Sequence, residues 1–145
     1  MSKNPPSGMI RFVGYRISNF FYDCPDDIVF SKKGSYNLQL QKNTEFLAPT
    51  VMQVTLRTIV FWSEGDNYDD APLKVTLEII GRFESDTDID IKWEVNALAI
   101  LFPYVRSVVS SFTAQTGKTP VILPTINVAN MLKQQPIAQP SDAEE

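Results

Sequence analysis

The sequence predicts an α+β fold, a four-stranded antiparallel sheet with two helices packed on one face. Three observations carry that prediction. Four segments between Met9 and Phe83 carry strand signals, mostly apolar and polar residues alternating with a period of two. From Leu98 onward the apolar period lengthens to three and four residues. The connections between segments hold Gly, Pro, Asn and Asp, which suits hairpins better than the helical crossovers of a parallel sheet.

Residues 1–8 are polar and Pro-bearing and read as a disordered lead-in to a domain over 9–135. In the first strand, Met9 to Tyr22, the residues Val13, Tyr15 and Ile17 alternate with polar neighbours. The run Phe20, Phe21, Tyr22 breaks that alternation and suggests a bulge or a second buried face. Asp23 to Asp27, with Pro25, is a turn. Ser35 to Gln41 sets Tyr36, Leu38 and Leu40 against Asn37, Gln39 and Gln41, the pattern of a half-buried strand. Pro49 closes the next connection. Val51 to Trp62 is the strongest strand signal, rich in β-branched and aromatic residues. Ser63 to Pro72 forms an exposed hairpin-like link, after which Leu73 to Phe83 alternates again through Leu73, Val75, Leu77 and Ile79.

Leu98, Leu101, Phe102, Val105, Val108, Val109 and Phe112 then share one face of a helix. Pro103 lies inside this pattern and predicts either a kink or a fresh helix start at Leu101 or Phe102. Gly117 suits a stop, and Pro120 and Pro124 keep Lys118 to Thr125 out of regular helix. Asn127 can cap a last helix, Val128 to Gln135, ended by Pro136. Residues 136–145 form an acidic, Pro-bearing tail that reads as disordered.

Composition narrows the function. With 13 Lys and Arg against 17 Asp and Glu, the net charge is −4, and no basic block offers phosphates a footprint, so nucleic acid is not the expected partner. No run approaches the roughly 20 apolar residues that span a bilayer, and the N-terminus lacks a signal peptide's apolar core, so the expected setting is cytoplasmic. The single cysteine, Cys24, excludes an internal disulfide and reads as a structural or interface thiol. The chain has no histidine, which removes the commonest general base and metal ligand. No catalytic residue, metal or cofactor is therefore assigned. An enzyme would have to work with carboxylates or lysine alone. Asp86, Asp88 and Asp90 alternate but lack the following Gly and distal Glu of a calcium loop, so they read as a solvated turn.

The segment Ile100-Leu101-Phe102-Pro103-Tyr104-Val105-Arg106 resembles the start of the long helix in SecB export chaperones, where I-L-F-P-Y-A-R is typical. The next stretch is also similar: a helix of about four turns, a Gly, a Pro-rich apolar loop, then Leu123-Pro124-Thr125-Ile126-Asn127-Val128 into the last helix. The resemblance spans Met9 to Gln135, with its specificity between Ile100 and Leu132. It implies a homotetramer built as a dimer of dimers. It also implies an ATP-independent holdase that binds unfolded preproteins in hydrophobic surface grooves and hands them to the export ATPase SecA. A dedicated client such as an antitoxin is the other role known for SecB-like proteins.

A surface of this kind needs exposed apolar and aromatic area, which nine Phe, five Tyr, two Trp and four Met can supply. The candidate groove residues are Phe20, Tyr22, Phe30, Phe46, Val121, Ile122, Leu123, Met131 and Leu132. Each is also a candidate for core or subunit interface. Val121 to Leu123 is the best exception, because three consecutive aliphatics between prolines cannot all face inward from one short loop. In the family, a cationic zinc-binding tail of SecA docks on an acidic patch of strands one and four. The matching positions here are Asn19, Asp23, Lys74 and Thr76, of which only Asp23 keeps the acid, and Lys74 sets a positive charge in the patch. SecA docking by that route is therefore in doubt, unless a register shift of two residues brings Glu78 into it. The alternative to a chaperone is a module that holds a small apolar ligand in a buried pocket.

Overall fold

The computed structural model describes residues 9–134. The expected lead-in over 1–8 and tail over 136–145 lie outside the described residues. The elements run β1 Arg11–Asp23, β2 Ser35–Ala48, β3 Val51–Ser63, β4 Leu73–Glu84, a 3₁₀ turn Ile91–Trp93, α1 Glu94–Ala114 and α2 Val128–Gln134. The sheet is antiparallel throughout in the order β1-β4-β3-β2. This is the predicted α+β architecture.

Opposed residues of an antiparallel pair share a face, so the register assigns the two surfaces of the sheet. Met52, Val54, Leu56, Val60 and Trp62 of β3 oppose Phe83, Gly81, Ile79, Val75 and Leu73 of β4. Together with the α1 residues Leu98, Leu101, Val105 and Val109 they build the core, all buried. Core-facing Gly81 is required by how close α1 comes: a Cβ there would stand 2.5 Å from Leu101 Cδ2, and Leu101 is itself fully enclosed.

The strand boundaries moved in two places. β2 continues beyond Gln41 to Ala48, because Lys42 to Glu45 pair with β3 through Leu56 to Gln53, and Lys42 also forms an ion pair with Glu94 at 2.9 Å. In β1 the irregularities fall between Phe12 and Gly14 and between Ile17 and Asn19, upstream of the expected Phe20–Tyr22 run. These two steps put Phe12, Tyr15, Ile17, Phe20 and Tyr22 all opposite core-facing positions of β4 or onto its Gly81.

α1 runs unbroken through Pro103, so neither a fresh start at Leu101 nor one at Phe102 occurs. It begins at Glu94, directly after the 3₁₀ turn, whose start is capped by the Asp90 carboxylate accepting from the Lys92 amide. Proline costs the helix the hydrogen bond to the carbonyl four residues back, here Ala99. Ala99 and Pro103 are both exposed, so water can serve that carbonyl. The segment Ile91–Ala114 is long and apolar enough, by length and composition, to cross a membrane. Its apolar side is spent on the sheet, with Ala97, Leu98, Leu101, Phe102, Val105, Val108 and Val109 buried.

Past α1, Gly117 adopts a positive φ of 84°, and the buried Thr113 hydroxyl ties the following loop down. It donates to the Val109 carbonyl (2.7 Å) and accepts from the Val121 amide (2.8 Å). Asn127 caps α2 through its side chain, which accepts from the Asn130 amide at 3.0 Å.

Two substitutions test this packing. Gly81→Ala should destabilise the fold by about 1–3 kcal/mol in a denaturant titration, because the added methyl meets a side chain with no room to move. Thr58 is buried in the core-facing row of β3 with a hydroxyl that has no partner. Thr58→Val should stabilise by about 1 kcal/mol in the same titration.

Candidate functional site

Because β1 and β2 lie at opposite edges of the sheet, residues 24–34 must cross its end to join them. The β3–β4 connection, residues 64–72, leaves the same end. A cavity of about 500 Å³ opens between the two. Ile28, Val29, Trp62, Pro25 and Pro72 give it apolar walls, and Asp27, Glu64 and Asp70 an acidic rim.

Local packing fixes the crossing segment over Trp62. The Phe30 ring stands edge-on to the indole, centroids 4.9 Å apart. Gly34 lies so close to the indole that a Cβ would fall 2.1 Å from Cζ2. Ser31 donates to the Glu64 carboxylate at 2.7 Å and so joins the two connections. With those contacts made, Val29 is left 77% exposed and Phe30 37%.

A second staple comes from behind. The Lys118 ammonium donates to the Cys24 carbonyl at 2.6 Å and pairs with Asp26 at 3.2 Å. Desolvation works against its charge, but the hydrogen bond to Asp26 and the nearby acidic groups outweigh it and hold its pKa above the usual lysine value. The Tyr36 phenol is pushed up by burial first, then by the neighbouring Cys24 and Tyr22. Cys24 is half-buried, with its thiol free of any disulfide.

The predicted groove residues do not form one cluster. Val121 and Leu123 are core, at 1% and 4% exposure, because the Thr113 bond turns them inward; they are removed from the candidate surface. Ile122 between them points out, 72% exposed, as three consecutive aliphatics in so short a loop required. Phe20 is half-buried and packs edge-on to Phe112 at 4.8 Å. Tyr22 reaches Thr116 with its hydroxyl at 3.4 Å. Met131 and Leu132 are half-buried against the core. Phe46 is 40% exposed but sits opposite Met52, ten strand residues or about 33 Å from Trp62. Only Phe30, with Tyr22 nearby through Cys24, belongs to the cavity end of the sheet.

Sequence reasoning missed Val29, Trp62 and Gly34 there. The signal was an Ile-Val-Phe run inside a connection, which apolar periodicity alone assigns to no element. Among the described residues no group of His, Cys, Asp and Glu is arranged to hold a metal ion.

The four positions matched to the SecA patch all fall on the sheet's outer face. Asp23 opposes Lys74, and Asn19 opposes Glu78. Lys74 lies 4.7 Å over the Tyr68 ring, and Tyr68 in turn covers Phe61 edge-on at 5.5 Å. Thr76 is buried. Glu78 accepts from Ser18 at 2.6 Å and faces Arg57 at 3.8 Å. The outer face is therefore partly roofed by the β3–β4 connection.

A four-stranded antiparallel sheet backed by a long and a short helix is the SecB-like fold. Residues 23–139 match the family described as preprotein translocase subunit SecB. The chain belongs to the SecB family. An uncharacterised protein of Methanocaldococcus jannaschii is 32% identical over 134 residues, covering 88% of this chain and 85% of that one. The Mycobacterium tuberculosis SecB-like chaperone Rv1957, solved with a ChAD peptide from the HigA1 antitoxin, shares the fold. Its TM-score is 0.67 at 12% identity, covering 81% of this chain and 90% of that one.

Lys118→Met removes the staple behind the cavity. Hydrogen exchange at the Ile28 amide should accelerate several-fold while β3 and β4 keep their protection. In the native protein this contact should persist across neutral pH. A group whose folded pKa lies above its usual 10.5 contributes below that value and is lost only as pH rises through the raised one. An exchange profile at Ile28 unchanged by the substitution would show the staple to be idle.

Proposed function

We propose that this protein is a holdase: it captures unfolded polypeptide segments on exposed apolar surface without nucleotide, and it catalyses no reaction. The observation that carries the reading is the apolar cavity beside Trp62, under a crossing segment whose Val29 side chain faces solvent. An apolar cleft framed by loops suits clients of many sequences, since burial of their side chains is non-directional and worth about 25 cal/mol per Å². Phe30, Tyr22 and Ile122 would extend the contact surface, and Phe46, Met131 and Leu132 would join it where subunits adjoin.

We assign the working form as a cytoplasmic homotetramer, a dimer of dimers. Two roles fit it. One is holding preproteins for export; the other is protecting a dedicated client, a role supported by the antitoxin peptide bound to the mycobacterial relative. Lys74 under the Tyr68 roof, and the commitment of Glu78 to Ser18 and Arg57, weigh against a cationic SecA tail docking on the outer face. A small apolar ligand is the second reading, favoured by a cavity volume within the roughly 300–1,000 Å³ typical of such sites.

The test is native mass spectrometry with and without a chemically unfolded client. A mass of four 16.4-kDa chains that gains the unfolded client and ignores its folded form supports the holdase. A monomer that leaves the client to aggregate sinks it in favour of the ligand-binding module. Val29→Asp, at a solvent-facing position that costs the fold little, should weaken capture about tenfold, the equivalent of one lost valine contact.

A further inference from the structure

The outer face of the sheet carries a feature that client capture does not use. Beside the first irregularity of β1 lies a groove of about 340 Å³, lined by Val13, Gly14, Arg16, Gln53, Ile80 and Arg82 among others. Its shape comes from β1. The register step after Phe12 pushes Val13 outward, 56% exposed, and Gly14 has no side chain to fill the space opposite Arg82. Arg16 stands opposite Ile80, so the two arginines are diagonal neighbours on one face, flanking an aliphatic side chain.

The charges around the groove are unbalanced. Arg11, Arg57 and Arg82 each face a carboxylate, at 3.2, 3.8 and 3.4 Å respectively. Arg16 is exposed and has no acidic partner among the described residues. The Arg82–Glu84 pair is itself half-exposed and therefore cheap to exchange for another carboxylate. In a chain of net charge −4, two guanidinium groups thus converge on an open groove with too little acid between them.

We propose that this groove docks an acidic, partly apolar peptide segment of another protein. Arg16 and Arg82 would each fork onto a carboxylate, and Val13 and Ile80 would cover an aliphatic residue between the two. An extended segment presents alternate residues to one side, which matches acid–aliphatic–acid spacing across the groove. Nucleic acid is the poorer fit. Glu78 and Glu84 border the site along the same face of β4, and they would repel a continuous phosphate chain while leaving room for isolated carboxylates.

The experiment is fluorescence anisotropy of a labelled nonapeptide, Glu-Ser-Leu-Ser-Glu-Ser-Leu-Ser-Glu, whose every second residue alternates acid and aliphatic on one side. It is titrated with the full chain, beside the same peptide with Gln in place of Glu. The acidic peptide should bind saturably and the Gln peptide about tenfold more weakly. Arg16→Glu and Arg82→Glu should each cost the acidic peptide about tenfold, and Arg16→Gln less, with capture of unfolded client unchanged in all three. Loss of client capture alone would strike at the holdase reading and leave this one standing. Affinity for the acidic peptide that survives both Glu substitutions overturns the proposal. So does a single-stranded oligonucleotide that displaces the peptide with the same arginine dependence. Peptide binding that tightens about tenfold when Asp142, Glu144 and Glu145 are neutralised (D142N/E144Q/E145Q) would assign the groove to the chain's own tail and overturn it too.

Discussion

The contact on which the rest of this structure depends is that between Leu101 and Gly81. A helix laid across a sheet normally stands off by the height of two side-chain layers. Here a residue without a side chain lets one fully buried leucine reach the β4 backbone. That approach sets the height of α1 above the sheet. It also sets where its later turns fall, with Tyr104 packed against Phe12 and Tyr15 and Phe112 edge-on to Phe20. The same placement carries Thr113 to the point where its hydroxyl can hold Val121, and so decides which aliphatics of the following loop are core and which face out.

Charge distribution separates the two faces of the sheet as sharply as burial does. The helix side is apolar almost to its margins, where Glu94 is closed off against Lys42 and Thr44, while the buried Thr58 hydroxyl is left without a partner. The outer side holds short cross-strand networks of arginine and glutamate interrupted by Phe21, Ile59 and Phe61. Phe61 would be costly there without the Tyr68 ring above it. The β3–β4 connection is thus a structural cover at one end of the outer face and, through Glu64 and Asp70, a rim of the cavity round the corner.

Much of the fold was legible because alternation in β3 and β4 is nearly unbroken, and a strand buried on one face has little choice of register. β1 was harder. Its two irregularities move Phe12 and Phe20 onto the same side as Tyr15 and Ile17, and no period of two describes that. The second half of β2 was illegible for a different reason: Lys42, Asn43, Thr44 and Glu45 have poor strand propensity and are held by pairing with β3. Pro103 misled because its cost depends on whether the carbonyl of Ala99 faces water, a fact of tertiary structure. The candidate site was the least readable part. Ile28, Val29 and Phe30 gain meaning only once the sheet order forces their connection across Trp62, and sheet order is not written in local pattern.

That sheet order also bears on how the chain comes to be folded at all. β2, β3 and β4 form a meander whose pairings are local in sequence, so they can assemble as soon as each has been made. β1 is made first and yet, among the described residues, pairs only with β4, Arg11 meeting Glu84 and Asp23 meeting Lys74. Until β4 has left the ribosome, Phe12, Tyr15, Phe20 and Tyr22 have no surface to cover them. During its own synthesis the protein therefore passes through a stage with an apolar strand waiting in water for a partner not yet present.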